Sequence, residues 1–315
     1  MNNVIYSIGL ILVFIINCSF SEIKSNELSS RSCEKKKESY KKVVAKLVKS
    51  NYSEKCKAKA IFTWIATNIK YDYEGFDNGY WKQFESDEDF LKNTFNQKKG
   101  ICTGYSILFQ CMCKEAGLEA VMIDGYARDK NYLAGKAIES TNHSWNAVKI
   151  GGEWRLVDVT WAATNSIKGN VNDYYFLTPP DEFGINHYPE ENKWQLTNNI
   201  IVKDEFDSYP YVSYKYYSSG FNKEFSKAGY VKNKTGNFIL HLEAPKDYQK
   251  LIRIYSYKDN KWIKEGYTVK EERDKLVVQL ENRGSFMLEV SAAFNNDGQY
   301  VINKGLLYYN IDYSY

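Results

Sequence analysis

The adjacent glycines Gly151 and Gly152 constrain this chain more tightly than any other feature. They separate two strand-like runs, 143–150 and 153–161. A Gly-Gly pair between such runs is a strong hairpin signal, because both central positions of the preferred two-residue turn need positive φ. In that register Ile150 pairs with Glu153 and His143 lies opposite Thr160. Side chains alternate along a strand, so Asp158 falls on the face of His143, one diagonal step away at ~7–8 Å. A slip of one residue would put the two on opposite faces. Trp145 and Trp154 share that face, either as walls of a site or as aromatic core.

The remaining pattern sets the fold class. Helical spacing predicts helices over 36–48, with Tyr40, Val43, Val44 and Leu47 in one stripe, and over 53–69, capped by Ser53, with Trp64 in the core. Residues 71–85 read as a surface loop and 87–96 as a short helix. A further helix is expected over 102–116, stopped by Gly117. A strand over 118–126 precedes the hairpin. Helices followed by consecutive strands indicate an α+β domain. Beyond about residue 204 the runs 237–242, 251–257, 275–280 and 285–293 alternate or are β-branched, and turn residues separate them. That texture predicts an all-β, sandwich-like domain. The expected layout is a signal peptide at 1–21, a linker at 22–35, a catalytic domain at 36–203 and the β-rich domain at 204–315.

Residues 4–16 are almost purely apolar and no charged side chain precedes Glu22, the pattern of a secretory leader. The reading is a secreted or exported protein. Cys18, just after the apolar run, leaves open a lipoprotein anchor, the one route to a membrane. With a leader ending at or after Cys18, five of the six cysteines remain, an odd number, so at least one thiol lacks an intramolecular partner. Cys33 with Cys56 is a plausible disulfide in an oxidising compartment. Cys111 and Cys113 fall mid-helix, as buried free thiols. The net charge of +3 is too small a bias to argue for nucleic acid, and no nucleic-acid partner is expected. With three histidines and no zinc-ligand spacing, the chain gives no sign of a metal or other cofactor.

Chemistry centres on Cys102. A thiol in the first turn of a helix meets unpaired backbone N–H groups and the positive end of the helix dipole, and both favour the nucleophilic thiolate. Its own N–H is placed to help hold an oxyanion, and Gly100 and Gly104 would let a substrate carbonyl approach. His143 then serves as base and Asp158 fixes its tautomer. Trp161, Asn146 and Gln83 are possible supporting or oxyanion groups. His187 reads as part of a structural turn with Pro189, and His241 as incidental. The sequon Asn142-His143-Ser144 would put a glycan beside the base if it were modified.

The runs Gly100-Ile101-Cys102-Thr103-Gly104-Tyr105, His143-Ser144-Trp145-Asn146-Ala147-Val148 and Trp154-Arg155-Leu156-Val157-Asp158-Val159-Thr160-Trp161 resemble the transglutaminase-like superfamily. Upstream, Ile61-Phe62-Thr63-Trp64-Ile65 with Asn68-Ile69-Lys70-Tyr71-Asp72 matches that family's helix before the core. Downstream, Tyr175-Phe176-Leu177-Thr178-Pro179 and His187-Tyr188-Pro189 with Trp194-Gln195-Leu196 is similar to its kyphoscoliosis-peptidase branch. The likeness covers about residues 56–196. It implies a papain-like core with Cys102, His143 and Asp158 as the triad, acting on protein or peptide amides through a thioester. The chain also lacks an obvious Asp and Asn cluster like the calcium loop of the animal transglutaminases, so no calcium dependence is expected. Hydrolysis and transamidation share the acyl-enzyme, so the triad does not separate peptidase or amidase from transglutaminase. A non-catalytic peptide-binding or surface-scaffold protein on the same fold is the alternative from another class.

Overall fold

The glycine turn holds its expected register. Ile150 pairs with Glu153 and Asn146 with Val157, and Gly151 and Gly152 sit at φ of 61° and 84°. The second strand is shorter than the sequence suggests. It runs Glu153–Val157, and a helix, Val159–Thr164, follows at once. The reason is a cap. The Asp158 side chain accepts a hydrogen bond from the Trp161 N–H at 2.8 Å, and an aspartate in that role starts a helix rather than continuing a strand. The expectation that 158–161 is strand is therefore corrected, and Trp161 belongs to the helix.

The computed structural model describes residues 39–314 apart from 167–168, 222–223, 243–247, 259–260, 273–274 and 297–298. The expected leader at 1–21, the linker at 22–35, Cys18 and Cys33 lie outside the described residues. Cys56 is disulfide-bonded, while Cys102, Cys111 and Cys113 are free.

The fold is α+β. A five-stranded antiparallel sheet runs in the order Phe176–Thr178, Glu153–Val157, His143–Ile150, Ala120–Ala127, His187–Pro189. The helices Glu54–Asn68 and Cys102–Glu115 pack on it through Ile61, Phe62, Ile65, Leu108, Phe109 and Met112, which meet Val148 and Val157 in one core. Trp145, Ala147 and Leu156 belong instead to a separate small cluster with Ile123 and Phe183. Residues expected as a surface loop, 71–85, hold a short helix, Tyr73–Asp77, capped by Asp72, and a 3-10 turn, Tyr80–Gln83. Trp64 is only half-buried, stacked on Phe95 at the core's margin.

The C-terminal region is β-rich. A three-stranded sheet and a six-stranded sheet contribute to one hydrophobic core, Phe238, Leu240 and Val278 from the first meeting Ile254, Leu288 and Tyr309 from the second.

The described residues from Ser39 onward pack as a single unit, and the buried Arg128 helps to join its parts. Its guanidinium donates to the carbonyls of Leu133 at 3.2 Å, Ile185 at 3.2 Å, Phe206 at 2.7 Å and Asp207 at 3.2 Å. It also lies 4.5 Å from the centre of the Phe206 ring. Burial lowers its pKa to about 10, so it stays cationic at neutral pH. Removing the donors leaves several buried carbonyls unpaired, each worth about 1–3 kcal/mol. Arg128→Met is expected to lower unfolding free energy by roughly 3 kcal/mol or more in urea denaturation. Arg128→Lys should recover little, because an ammonium cannot reproduce the planar fork.

Candidate active site

Cys102 opens its helix as the first helical residue, as the sequence predicts. No side chain among the described residues caps that end; the Thr103 N–H lies on the Cys102 thiol and the Tyr105 N–H on the Ile101 carbonyl at 3.1 Å. Gly100 and Gly104 have a different purpose from the one expected of them. A Cβ on Gly104 would come within 2.1 Å of Thr94 Oγ1, and one on Gly100 within 2.6 Å of the same atom. Both glycines let the helix Asp87–Gln97 dock closely beside the nucleophile. Asn146, expected as a possible oxyanion group, donates its amide N–H groups to the carbonyls of Ser106 and Val121 at 3.0 Å each. It ties the Cys102 helix to the sheet instead.

His143 opens its strand, and Asp158 follows the end of the adjacent one. Their separation is 2.8 Å between His143 Nε2 and Asp158 Oδ2. The diagonal pairing inferred across the glycine turn thus closes into a hydrogen bond. The other imidazole nitrogen is left for Cys102, and the thiol and imidazole are hydrogen-bonded. Cys102 and His143 are buried but for a sliver of surface, and Asp158 is wholly buried.

Burial alone would push the Cys102 thiol up. The hydrogen bond to His143, its positive charge, and the backbone N–H groups of Ser144 and Thr103 outweigh burial and bring the thiol below its ordinary value. For His143, burial disfavours the cation, but the charge and hydrogen bond of Asp158, with the contribution of Cys102, raise it to about 10. Asp158 is held well below the usual carboxylate range: burial opposes ionisation, and His143 and His187 overcome it. The Cys102 thiol is thus shifted toward the thiolate and His143 toward the imidazolium, with the Asp158 carboxylate behind them. Cys111 and Cys113 contrast with it, since burial raises both thiols.

His187 was legible in the sequence only as part of a turn with Pro189, and the structure corrects that reading. Its Nε2 lies 3.1 Å from the same Asp158 oxygen, inside the strand His187–Pro189. The three ligand-type atoms of His143, Asp158 and His187 lie within 4.8 Å of one another, and hydrogen bonds at 2.8 and 3.1 Å account for the grouping without an ion. Trp145 and Trp161 wall the His143 ring, with ring centres at 6.0 and 5.4 Å. Trp154 packs away from it, against Trp194 at 5.3 Å. Gln83 is exposed and outside the cleft lining, and His241 lies in the strand Asn237–His241 of the C-terminal region. Asn142 of the sequon pairs its amide with the backbone of Ala127 at 2.7 and 2.9 Å.

A cleft of about 430 Å³ reaches His143, with Thr160, Trp161, Tyr71, Tyr73 and Phe76 among its walls. The Thr160 hydroxyl is buried and has no hydrogen-bond partner among the described residues.

Residues 41–159 match the family model of the transglutaminase-like superfamily. The chain carries a transglutaminase-like domain. It is similar to kyphoscoliosis peptidase of Mus musculus, 29% identical over 64% of this chain and 31% of that protein. It is also similar to kyphoscoliosis peptidase of Homo sapiens, 25% identical over 87% of this chain and 40% of that protein. The chain therefore spans well under half the length of these relatives. A solved TGase is 20% identical with a TM-score of 0.31, covering 44% of this chain and 34% of that one.

The charges give a pH dependence with a definite sign. The folded His143 is raised from 6.5 to about 10, so its contribution to stability is fully present below about pH 6.5 and is lost as pH rises through 10. The stability gap between the native protein and His143→Gln, read by urea denaturation, should close across that range. Asp158→Asn keeps a capping side chain for Trp161 but removes the charge. It is expected to slow iodoacetamide alkylation of Cys102 at pH 6–7 by at least about tenfold while leaving circular dichroism unchanged.

Proposed function

We propose that this chain is a cysteine acyl-transfer enzyme acting on protein or peptide amides, with Cys102 as nucleophile, His143 as acid and base, and Asp158 as the group that orients His143. The observation that carries the reading is the unbroken contact from thiol to imidazole to carboxylate, with a lowered thiol at its head. A buried free cysteine with no task would have a raised pKa, as Cys113 does.

In the first step the Cys102 thiolate attacks the amide carbonyl carbon, and the carbonyl oxygen takes up the negative charge. The Cys102 N–H at the helix start is the donor best placed to hold it. The tetrahedral intermediate collapses as the His143 imidazolium gives its proton to the departing nitrogen, releasing an amine and leaving a thioester on Cys102. Neutral His143 then takes a proton from an incoming water, whose oxygen attacks the thioester carbon. The acid departs, and thiolate and imidazolium are restored. An incoming primary amine in place of water gives transamidation. Hydrolysis is the default, since diverting the thioester to an amine requires water to be shut out. The unpaired Thr160 hydroxyl at the cleft is a ready partner for a substrate polar group.

The test is trapping the acyl-enzyme. Incubation with peptide and glutamine donors, with and without an added primary amine, should leave a thioester adduct on Cys102 in intact-mass spectra and none on Cys102→Ala. Released acid identifies a hydrolase, and an amine-linked product identifies a transamidase. If the variant retains full biological activity and native Cys102 alkylates like an ordinary thiol near neutral pH, the protein is a peptide-binding scaffold instead.

A further inference from the structure

We propose that His187 is a positioning residue that extends the triad to a fourth member, donating its Nε2–H to Asp158 so that the carboxylate stays aimed at His143. The inference rests on the acyl-transfer reading of the site and adds a residue that acts through Asp158 rather than on substrate.

The geometry of the carboxylate points to this role. Asp158 Oδ1 is taken by the Trp161 N–H at 2.8 Å. Oδ2 receives both imidazoles, His143 at 2.8 Å and His187 at 3.1 Å. An ionised carboxylate only accepts, so each ring must present an N–H to it. The second nitrogen of His187 lies 3.2 Å from the Phe183 carbonyl, a longer contact to a neutral acceptor. A neutral imidazole has one N–H, and the charge-assisted bond to Asp158 claims it.

The ring has little room to leave that position. It stacks on Phe183 with centres 3.9 Å apart at 20°, meets Trp161 at 4.2 Å and lies edge-on to Trp145 at 5.2 Å. Its backbone pairs with Ala127, in the strand beside that of His143. The charged groups around it are Asp158 and His143 on the site side, and Asp181, Glu224 and Lys227 among the walls of a cavity of about 330 Å³ on which His187 also borders.

The two histidines differ in charge. Burial is the largest influence on His187 and disfavours its cation; Asp158 and the Phe183 carbonyl pull the other way, the positive His143 adds to burial, and the net shift is downward. His143 is a cation at neutral pH and His187 is neutral. A neutral donor restrains the carboxylate without placing a second positive charge beside the base. Without His187, Oδ2 would be held by His143 alone, and the carboxylate could swing with the imidazole it is meant to aim.

The experiment follows the rate of Cys102 alkylation by iodoacetamide from pH 5 to pH 10 in the full chain. It compares native protein with His187→Phe, His187→Gln and His187→Asn, with Cys102→Ala as the blank for Cys111 and Cys113. Phenylalanine fills the stacked space with no donor. Glutamine carries its amide far enough to replace Nε2–H, whereas asparagine reaches only toward the Phe183 carbonyl. The expected result is a loss of about tenfold in rate at pH 6 for Phe and Asn, with the rise of the profile moved upward, and a near-native profile for Gln. A packing role alone would lower melting temperature and leave the pH midpoint in place. A native midpoint in folded His187→Phe overturns the proposal. Should that variant fail to fold, equal profiles for Gln and Asn overturn it. If native Cys102 itself titrates as an ordinary thiol, the acyl-transfer reading fails, and the His187 proposal with it.

Discussion

A wholly buried carboxylate is among the costliest groups a protein can carry, and the arrangement around the site follows from satisfying the one on Asp158. Its two oxygens receive three N–H donors from three different elements: a helix start, a strand start and an edge strand. Each donor fixes something in return. The Trp161 N–H turns the chain out of the sheet and into a helix, which brings the Trp161 ring over His143. The His143 bond points one imidazole nitrogen away from the thiol, leaving the other to meet it. The His187 bond draws the edge strand His187–Pro189 into the site.

The charge on Asp158, acting through His143, then explains how a nearly buried cysteine can be shifted toward the thiolate. Burial by itself works against both Cys102 and His143 as ions, yet together with Asp158 they form an alternating series of negative, positive and negative groups. In a medium less polar than water each neighbour's attraction is stronger than it would be in solvent, and the hydrogen bonds hold the ions at close range. The rings of Trp145 and Trp161 flank the imidazole without competing for its protons. Removing any one ion leaves the others exposed to the full cost of burial, so the three behave as a unit.

Much of this was legible in the sequence, for reasons that differ residue by residue. The glycine pair fixed a register, and alternation then placed Asp158 beside His143 without knowledge of the rest of the fold. The position of Cys102 followed from helical periodicity and the stop at Gly117. What escaped was long-range or locally ambiguous. The sequence Leu-Val-Asp-Val reads equally well as strand, and only the capping bond to Trp161 decides that it ends there. His187 carries no local pattern linking it to Asp158, 29 residues earlier; its place depends on the edge strand pairing with Ala127. Gly100 and Gly104 were read toward a substrate because the partner they make room for, Thr94, belongs to another helix. Arg128 went unremarked because its partners, among them Leu133, Ile185 and Phe206, are scattered backbone carbonyls, which leave no trace in a sequence.

The central claim is that Asp158 holds His143 as a cation at neutral pH beside a Cys102 thiol shifted toward the thiolate. Nitrogen NMR of the imidazole rings in uniformly ¹⁵N-labelled protein reads this directly. The account predicts that His143 shows two protonated nitrogens through neutral pH and loses a proton only near pH 10, while His187 remains neutral. A His143 that titrates near 6.5, as an unperturbed imidazole does, would contradict it.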